Sequence, residues 1–114
     1  MADADCLFCR VAAGDVPATV VRETDRVVAF RDINPQAPTH VLVIPRTHYG
    51  AVADLAASDP ASLAELVAVA AAVAGDEGHS DYRLVFNTGE AAGQSVLHVH
   101  AHVLAGRPLT WPPG

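Results

Sequence analysis

Hydrophobic and polar positions fall along this chain in short blocks, each with its own period. Cys6 to Ala13 is a brief apolar segment, read as a short N-terminal helix or turn that Gly14 ends. Thr19 to Glu23 and Val27 to Asp32 are β-branched or apolar runs broken by Thr24-Asp25-Arg26, the pattern of a hairpin. Asn34 to Pro38 holds two prolines, which exclude regular pairing and mark a loop. His40 to Ile44 is a third strand, closed by Pro45. Ser58 to Gly75 is the clearest helix: Ser58 or Asp59 can cap it, Pro60 suits its first turn, and Gly75 can end it. Leu63, Leu66, Val67 and Ala70 recur there at helical spacing, and the alanines between them favour the helix. Tyr82 to Asn87 is a fourth strand, Thr88 to Ser95 a glycine-bearing loop, and Val96 to Leu104 the last strand. Strands, one main helix and further strands, tightly connected, predict an α+β fold with an antiparallel sheet of about five strands.

Composition adds limits. With 114 residues, one domain is expected, its core at about 6–106 and a tail at 107–114. Hydrophobic residues make up 51% and charged residues 18%, the balance of a folded chain. The net charge of -6 lacks the basic footprint of a nucleic-acid binder, yet leaves a mononucleotide partner open, since one phosphate needs only local donors. Met1 to Asp5 carries no leader pattern, and the apolar stretch from Leu66 to Ala74 is too short to span a bilayer. No membrane partner and a cytoplasmic location are therefore expected. Two cysteines three apart fit a reducing compartment better than a disulfide framework.

The chemistry concentrates at His98-Val99-His100-Ala101-His102. In a strand, alternate side chains share a face, so the three imidazoles point one way about 7 Å apart. They could be solvated or core histidines, a chelating triplet as in cupin-like barrels, or a nucleophilic site for phosphoryl or nucleotidyl chemistry. The loop before them, Gly89 to Ser95, offers glycines for close backbone approach, the Gln94 amide and the Ser95 hydroxyl. Such groups can hold an anion without net positive charge, which favours phosphate chemistry over a bare metal cage.

On these residues the chain resembles the HIT (histidine triad) family, its Hint branch in particular. The resemblance is carried by Asp32-Ile33-Asn34-Pro35-Gln36-Ala37-Pro38-Thr39-His40, by Gly93-Gln94-Ser95-Val96-Leu97 leading into the histidines, and by the closing Trp111-Pro112-Pro113-Gly114. It implies a HIT-like fold whose sheet extends across a homodimer, and hydrolysis of purine nucleoside phosphoramidates or aminoacyl-adenylate-like compounds. By this resemblance His100 attacks the α-phosphorus and His102 hydrogen-bonds the phosphoryl oxygens, while His98 and His40 orient the group. Gly93, Gln94 and Ser95 hold the phosphate, and Gln94 and Ser95 also serve the leaving amine. Asp32 accepts from the ribose hydroxyls, Ile33 lies against the base, and Asn87 sits close to the sugar-phosphate. Plainer roles stay open: Asp32 could cap its turn, Asn87 could be a turn residue, His40 a structural histidine, and Ser95 a partner of loop backbone.

The lone Cys6-Leu7-Phe8-Cys9 is a weak metal motif by itself. It could equally be two buried thiols or a redox pair. HIT-like proteins with an N-terminal CxxC complete a structural zinc site with two histidines, which by resemblance are His48 and His98 here. Hint-branch members without the cysteines imply that zinc is not needed for catalysis. With zinc present, His98 belongs to the metal rather than acting as a free base. The resemblance also puts the Trp111 tail near the partner subunit's active site. Packing on its own domain is the alternative.

Overall fold

The computed structural model describes residues 5–114. The reading of the acidic start as free of a leader falls largely on residues 1–4, outside the described residues. The elements are α1 (Leu7–Ala12), β1 (Val20–Glu23), β2 (Val27–Arg31), β3 (Thr39–Pro45), α2 (Val52–Ser58), α3 (Pro60–Asp76), β4 (Arg83–Phe86) and β5 (Ala101–Ala105), with a 3-10 turn at Glu90–Ala92. The strands form one antiparallel sheet in the order β1-β2-β3-β5-β4. The expected α+β class and five strands are what the chain adopts.

The sheet is covered on both faces, and the period of two decides which residue faces which layer. Val27, Ala29, Val41, Val43, Ala101 and Val103 pack under α3. Val28, Phe30, Leu42 and Ile44 pack under α1 with Phe8 and Val11. The central strand β3 is buried along its whole length, so it shows no polar alternation.

The main helix begins where expected but for one reason, not two. Asp59 is its N-cap, accepting from the Ser62 backbone N–H at 3.2 Å and the Ser62 hydroxyl at 2.6 Å. Ser58 instead ends α2, a seven-residue helix that the hydrophobic pattern did not predict. Gly75 lies inside α3 and does not stop it. Gly78 does, with φ +85°: its N–H returns to the Gly75 carbonyl and the His79 N–H to the Ala74 carbonyl at 2.9 Å, a Schellman closure. The buried stripe runs Leu66, Val69, Ala70, Val73 and Ala74, and Val67 points outward at 41% exposure. Among the described residues no helix is long and apolar enough to cross a membrane.

The last strand is shorter than predicted. Residues 96–100 lie outside the ladder, which begins at Ala101. Other contacts hold that segment: the Val99 N–H donates to the Tyr49 carbonyl at 2.8 Å, and the Val96 carbonyl accepts from the Gln94 amide at 3.1 Å. The alternation survives nonetheless. Val99 joins the α3 core, while His98 and His100 turn to the α1 side and pack on Phe8.

Candidate active site and metal-binding cluster

Hydrogen bonds settle the proton position on each buried imidazole, because a carbonyl only accepts and a backbone N–H only donates. His98 is fully buried, with Nε2 2.8 Å from the Pro45 carbonyl. Nε2 therefore carries the proton and Nδ1 the lone pair. That Nδ1 lies 3.3 Å from Cys6 Sγ, 3.4 Å from Cys9 Sγ and 3.3 Å from His48 Nδ1, and Cys9 Sγ is 3.4 Å from His48 Nδ1. All four donor atoms lie within 4.8 Å of one another. Ligands at tetrahedral zinc distances stand roughly 3.3–3.8 Å apart, and the four separations just given match that spacing, so the donor set fits a single ion. The Pro45 carbonyl acts as the outer partner that fixes a ligating imidazole.

Cys6 also caps α1, its Sγ accepting from the Cys9 N–H at 3.4 Å. Phe8, between the two cysteines, sets its ring edge-to-face on His100 with centroids 5.0 Å apart. One short helix thus touches both the metal cluster and the central histidine. Sequence spacing named the cysteines but gave no sign of the Phe8 contact.

His100 is buried, and its Nδ1 lies 2.8 Å from the His98 carbonyl. Nδ1 is therefore the N–H, and Nε2 keeps the free lone pair. The third histidine is set by a relay. The Gln36 N–H donates to His40 Nδ1 at 2.9 Å, so His40 carries its proton on Nε2, which is 2.9 Å from His102 Nδ1. His102 accepts there and so bears its own proton on Nε2. That Nε2 is buried and has no partner among the described residues. A buried donor without an acceptor is costly, and an incoming anionic oxygen would satisfy it.

Burial pushes His102 down to about 4, with the charges of His100 and His40 adding and Asp32 opposing. Burial also lowers His40, against the pull of Asp32. Asp32, His40 and His102 place three donor atoms within 4.8 Å, a grouping that could suggest a second metal site. The Gln36 N–H argues against it: it occupies His40 Nδ1 and forces the proton onto Nε2, the atom that would have to ligate. The trio is a proton-positioning relay.

A cavity of about 620 Å³ opens beside these histidines, within the size range of small-molecule sites. Phe8, Phe30 and Leu42 contribute apolar walls, and Asp32, Ser95, His100 and His102 polar groups. Ile33 lines it and is fully exposed. Asp32 also performs its plainer role, since its Oδ1 accepts from the Asn34 N–H at 2.8 Å while Oδ2 lies 3.4 Å from His40 Nε2. Asn87 and His40 line a second cavity of about 360 Å³, which meets the first at His102. Gly93 lies against Asn87: its φ is +97°, and a Cβ there would come within 3.6 Å of Asn87 Nδ2. Gln94 lines neither cavity. Its buried amide donates to the Gly50 and Val96 carbonyls at 2.7 and 3.1 Å and accepts from the Gly89 N–H at 2.9 Å, bracing the loop.

One network escaped the sequence altogether. Glu77, at the C-terminal end of α3, binds Arg31 through both carboxylate oxygens and accepts from the Thr39 hydroxyl at 2.9 Å. Its partners are the immediate neighbours of Asp32 and His40. They are 46 and 38 residues away in the chain, so no local pattern could have flagged them.

The family model described as "HIT domain" matches residues 13–109. The chain is 42% identical to the purine nucleoside phosphoramidase of Escherichia coli, covering 92% of this chain and 90% of that protein. It is 46% identical to the 14 kDa zinc-binding protein of Zea mays, covering 98% and 90%. Its fold is similar to the crystal structure of a HIT family hydrolase from Legionella pneumophila, with a TM-score of 0.92, 50% identity, and coverage of 96% and 100%. The chain belongs to the HIT domain family, with its three histidines on the α1 face of the sheet.

Proposed function

We propose that this protein is a nucleotide-binding hydrolase that cleaves purine nucleoside 5′-phosphoramidates, including conjugates of AMP with amines, lysine or aminoacyl groups. One observation carries the reading. The His98 carbonyl holds His100 Nδ1–H, so Nε2 is a free nucleophile, beside the acceptor-less N–H of His102.

Nε2 of His100 forms a bond to the α-phosphorus as the bond from phosphorus to the leaving nitrogen breaks. The electron pair departs on that nitrogen, which takes a proton from solvent by way of the Ser95 hydroxyl. The intermediate is a nucleotidyl-histidine. Water then attacks phosphorus and gives up a proton to solvent, the His100–phosphorus bond breaks with its electron pair returning to Nε2, and nucleoside monophosphate leaves. His102 Nε2–H donates to a phosphoryl oxygen in both steps, a fixed donor that needs no reorganisation. His40 positions His102. Asp32 accepts from the ribose hydroxyls, and Ile33 with the apolar wall packs on the purine. Asn87, Gly93 and Gln94 shape the loop around the phosphate, Gln94 by bracing it.

Cys6, Cys9, His48 and His98 hold a structural zinc ion in this reading, supported by the four-donor geometry and by the name of the Zea mays relative. Zinc there clips α1 to the sheet and takes no part in the chemical steps. A homodimer whose sheet extends across the subunit interface, a single HIT domain and a cytoplasmic location complete the proposal.

The test is turnover of adenosine 5′-phosphoramidate and of diadenosine polyphosphates side by side. Preferential release of AMP from the phosphoramidate is expected. Preference for the polyphosphates would move the protein to another branch of the family. Tight AMP binding with turnover of neither would make it a nucleotide-binding regulatory module.

A further inference from the structure

Behind the hairpin that carries Asp32 and His40 lies a charged network with no part in the chemistry described above. By the period of two, Asp32 and His40 share the α1 face of the sheet with Phe30 and Leu42. Arg31 and Thr39, one residue back from each, turn to the opposite face, where α3 ends. Glu77, the C-cap of α3, binds both. Its two carboxylate oxygens accept from the two terminal nitrogens of Arg31, and Oε1 also accepts from the Thr39 hydroxyl at 2.9 Å. That hydroxyl gives its one proton to Glu77, so at 3.0 Å it accepts from His79 Nε2–H. Arg31 first, and then Thr39, hold the Glu77 carboxyl below the usual carboxylate range, so it is ionised at neutral pH.

The two strands part at this point. Arg31 pairs with Val41, and beyond that pair a backbone bond runs from the Asp32 N–H to the His40 carbonyl at 3.0 Å. Residues 33–38 then leave the sheet as a loop. Glu77 grips one side chain from each strand at the mouth of that loop. Asp76 beside it pairs with Arg22 of β1 at 2.6 Å, so this end of α3 is anchored over β1, β2 and β3. The Arg31–Glu77 pair is partly exposed, at 41% and 24%, and so adds little to stability. Its two-pronged geometry fixes direction instead.

We propose that Glu77 is a positioning residue for nucleoside recognition: by holding Arg31 and Thr39 from the α3 face, it sets the reach of Asp32 toward the ribose hydroxyls on the other face. This deepens the nucleotide-binding reading and rests on Asp32 as the ribose acceptor. Asp32 lines the cavity beside the histidines, and Glu77 lines neither cavity. Oδ1 of Asp32 is engaged by the Asn34 N–H, so a small tilt of the loop mouth carries the carboxylate away from a bound sugar.

The experiment measures calorimetric binding of AMP and of 2′,3′-dideoxy-AMP, which lacks both hydroxyls, below the unfolding transition. The wild-type protein is expected to prefer AMP by about tenfold, the scale of hydrogen bonds to a charged group. Glu77→Ala should weaken AMP by about fivefold and leave dideoxy-AMP within about twofold, a cycle between Glu77 and the ribose hydroxyls. Thr39→Val, close in volume to the native residue, should shrink the same preference, and it keeps the test valid should Glu77→Ala fold poorly. A merely structural role weakens both ligands by one factor, and that result overturns the proposal. So does an unchanged preference in a folded Glu77→Ala, or a wild type indifferent to the hydroxyls. Neither measurement needs turnover. A preference that shrinks in Glu77→Ala, with no release of AMP from adenosine 5′-phosphoramidate by the wild type, sinks the phosphoramidase reading and leaves Glu77 in its role. Rapid release with a preference that Glu77→Ala does not alter does the opposite.

Discussion

The carbonyl of His98 accepts the Nδ1–H of His100 at 2.8 Å, so the residue whose side chain joins the metal cluster also sets the tautomer of the proposed nucleophile through its backbone. Two functions meet in one residue, and the predictions follow from separating them.

His100→Ala removes the free Nε2 and leaves the sheet intact, because residue 100 lies outside the ladder. Turnover of adenosine 5′-phosphoramidate is expected to fall at least ~10³-fold, with the circular dichroism spectrum close to wild type and the melting temperature lowered only by the lost packing on Phe8. Retained turnover at a tenth of wild type or more assigns the nucleophile elsewhere.

The metal cluster predicts about one zinc ion per chain on metal analysis of the purified protein. Chelation, or Cys9→Ser, should lower the melting temperature by about 5 °C or more and weaken AMP binding. The second effect arises because Leu7, Phe8 and Val11 of α1 line the nucleotide cavity. A metal-free protein with unaltered melting and AMP affinity contradicts the clip.

Acid sensitivity follows from the relay. His102 is held to about 4 in the fold, whereas an unfolded histidine titrates near 6.5. Between those values the unfolded chain binds the extra proton, so stability rises with pH. The contribution is complete above about 6.5 and is lost as pH falls toward 4. His40, also lowered, acts in the same sense. Urea midpoints measured from pH 7.5 to 4 should decline, and His40→Gln should shallow the decline. A flat profile across that window excludes neutral histidines in the folded state.

Leu66 is fully buried where α3 meets the sheet. Leu66→Ala should cost about 2–5 kcal/mol in chemical denaturation. Since the residue lies on the face opposite the histidines, the Kd for AMP measured below the unfolding transition should stay near wild type. A cost under about 1 kcal/mol would mean that the site collapses around the smaller side chain.

Much of this was legible because it depends on local periods. The alternation of His98, His100 and His102 put them on one face, and the Asp59-Pro60 start of α3 is written in its capping chemistry. What was missed depends on distant partners. The strand stops short at Ala101 because the Gln94 amide and the Tyr49 carbonyl hold residues 96–99 another way. The helix continues through Gly75 because the Schellman closure needs positive φ at Gly78, not merely a glycine. Val67 is as apolar as its neighbours, yet the stripe through Leu66 and Ala70 leaves it outside. The bonds of the Gln94 side chain to the Gly89, Gly50 and Val96 backbones have no local signature in the sequence.

The position of Phe8 between Cys6 and Cys9 carries a consequence for how this protein can change. Its ring rests on His100, and the cysteines on either side of it fix where that ring sits. If the cluster holds zinc as proposed, a lineage descending from this sequence could not shed the thiols one at a time at no cost, because a half-built cluster would hold α1 loosely and His100 with it. Added apolar bulk at Val11 or Val16 offers no substitute grip, because both line the cavity beside the histidines.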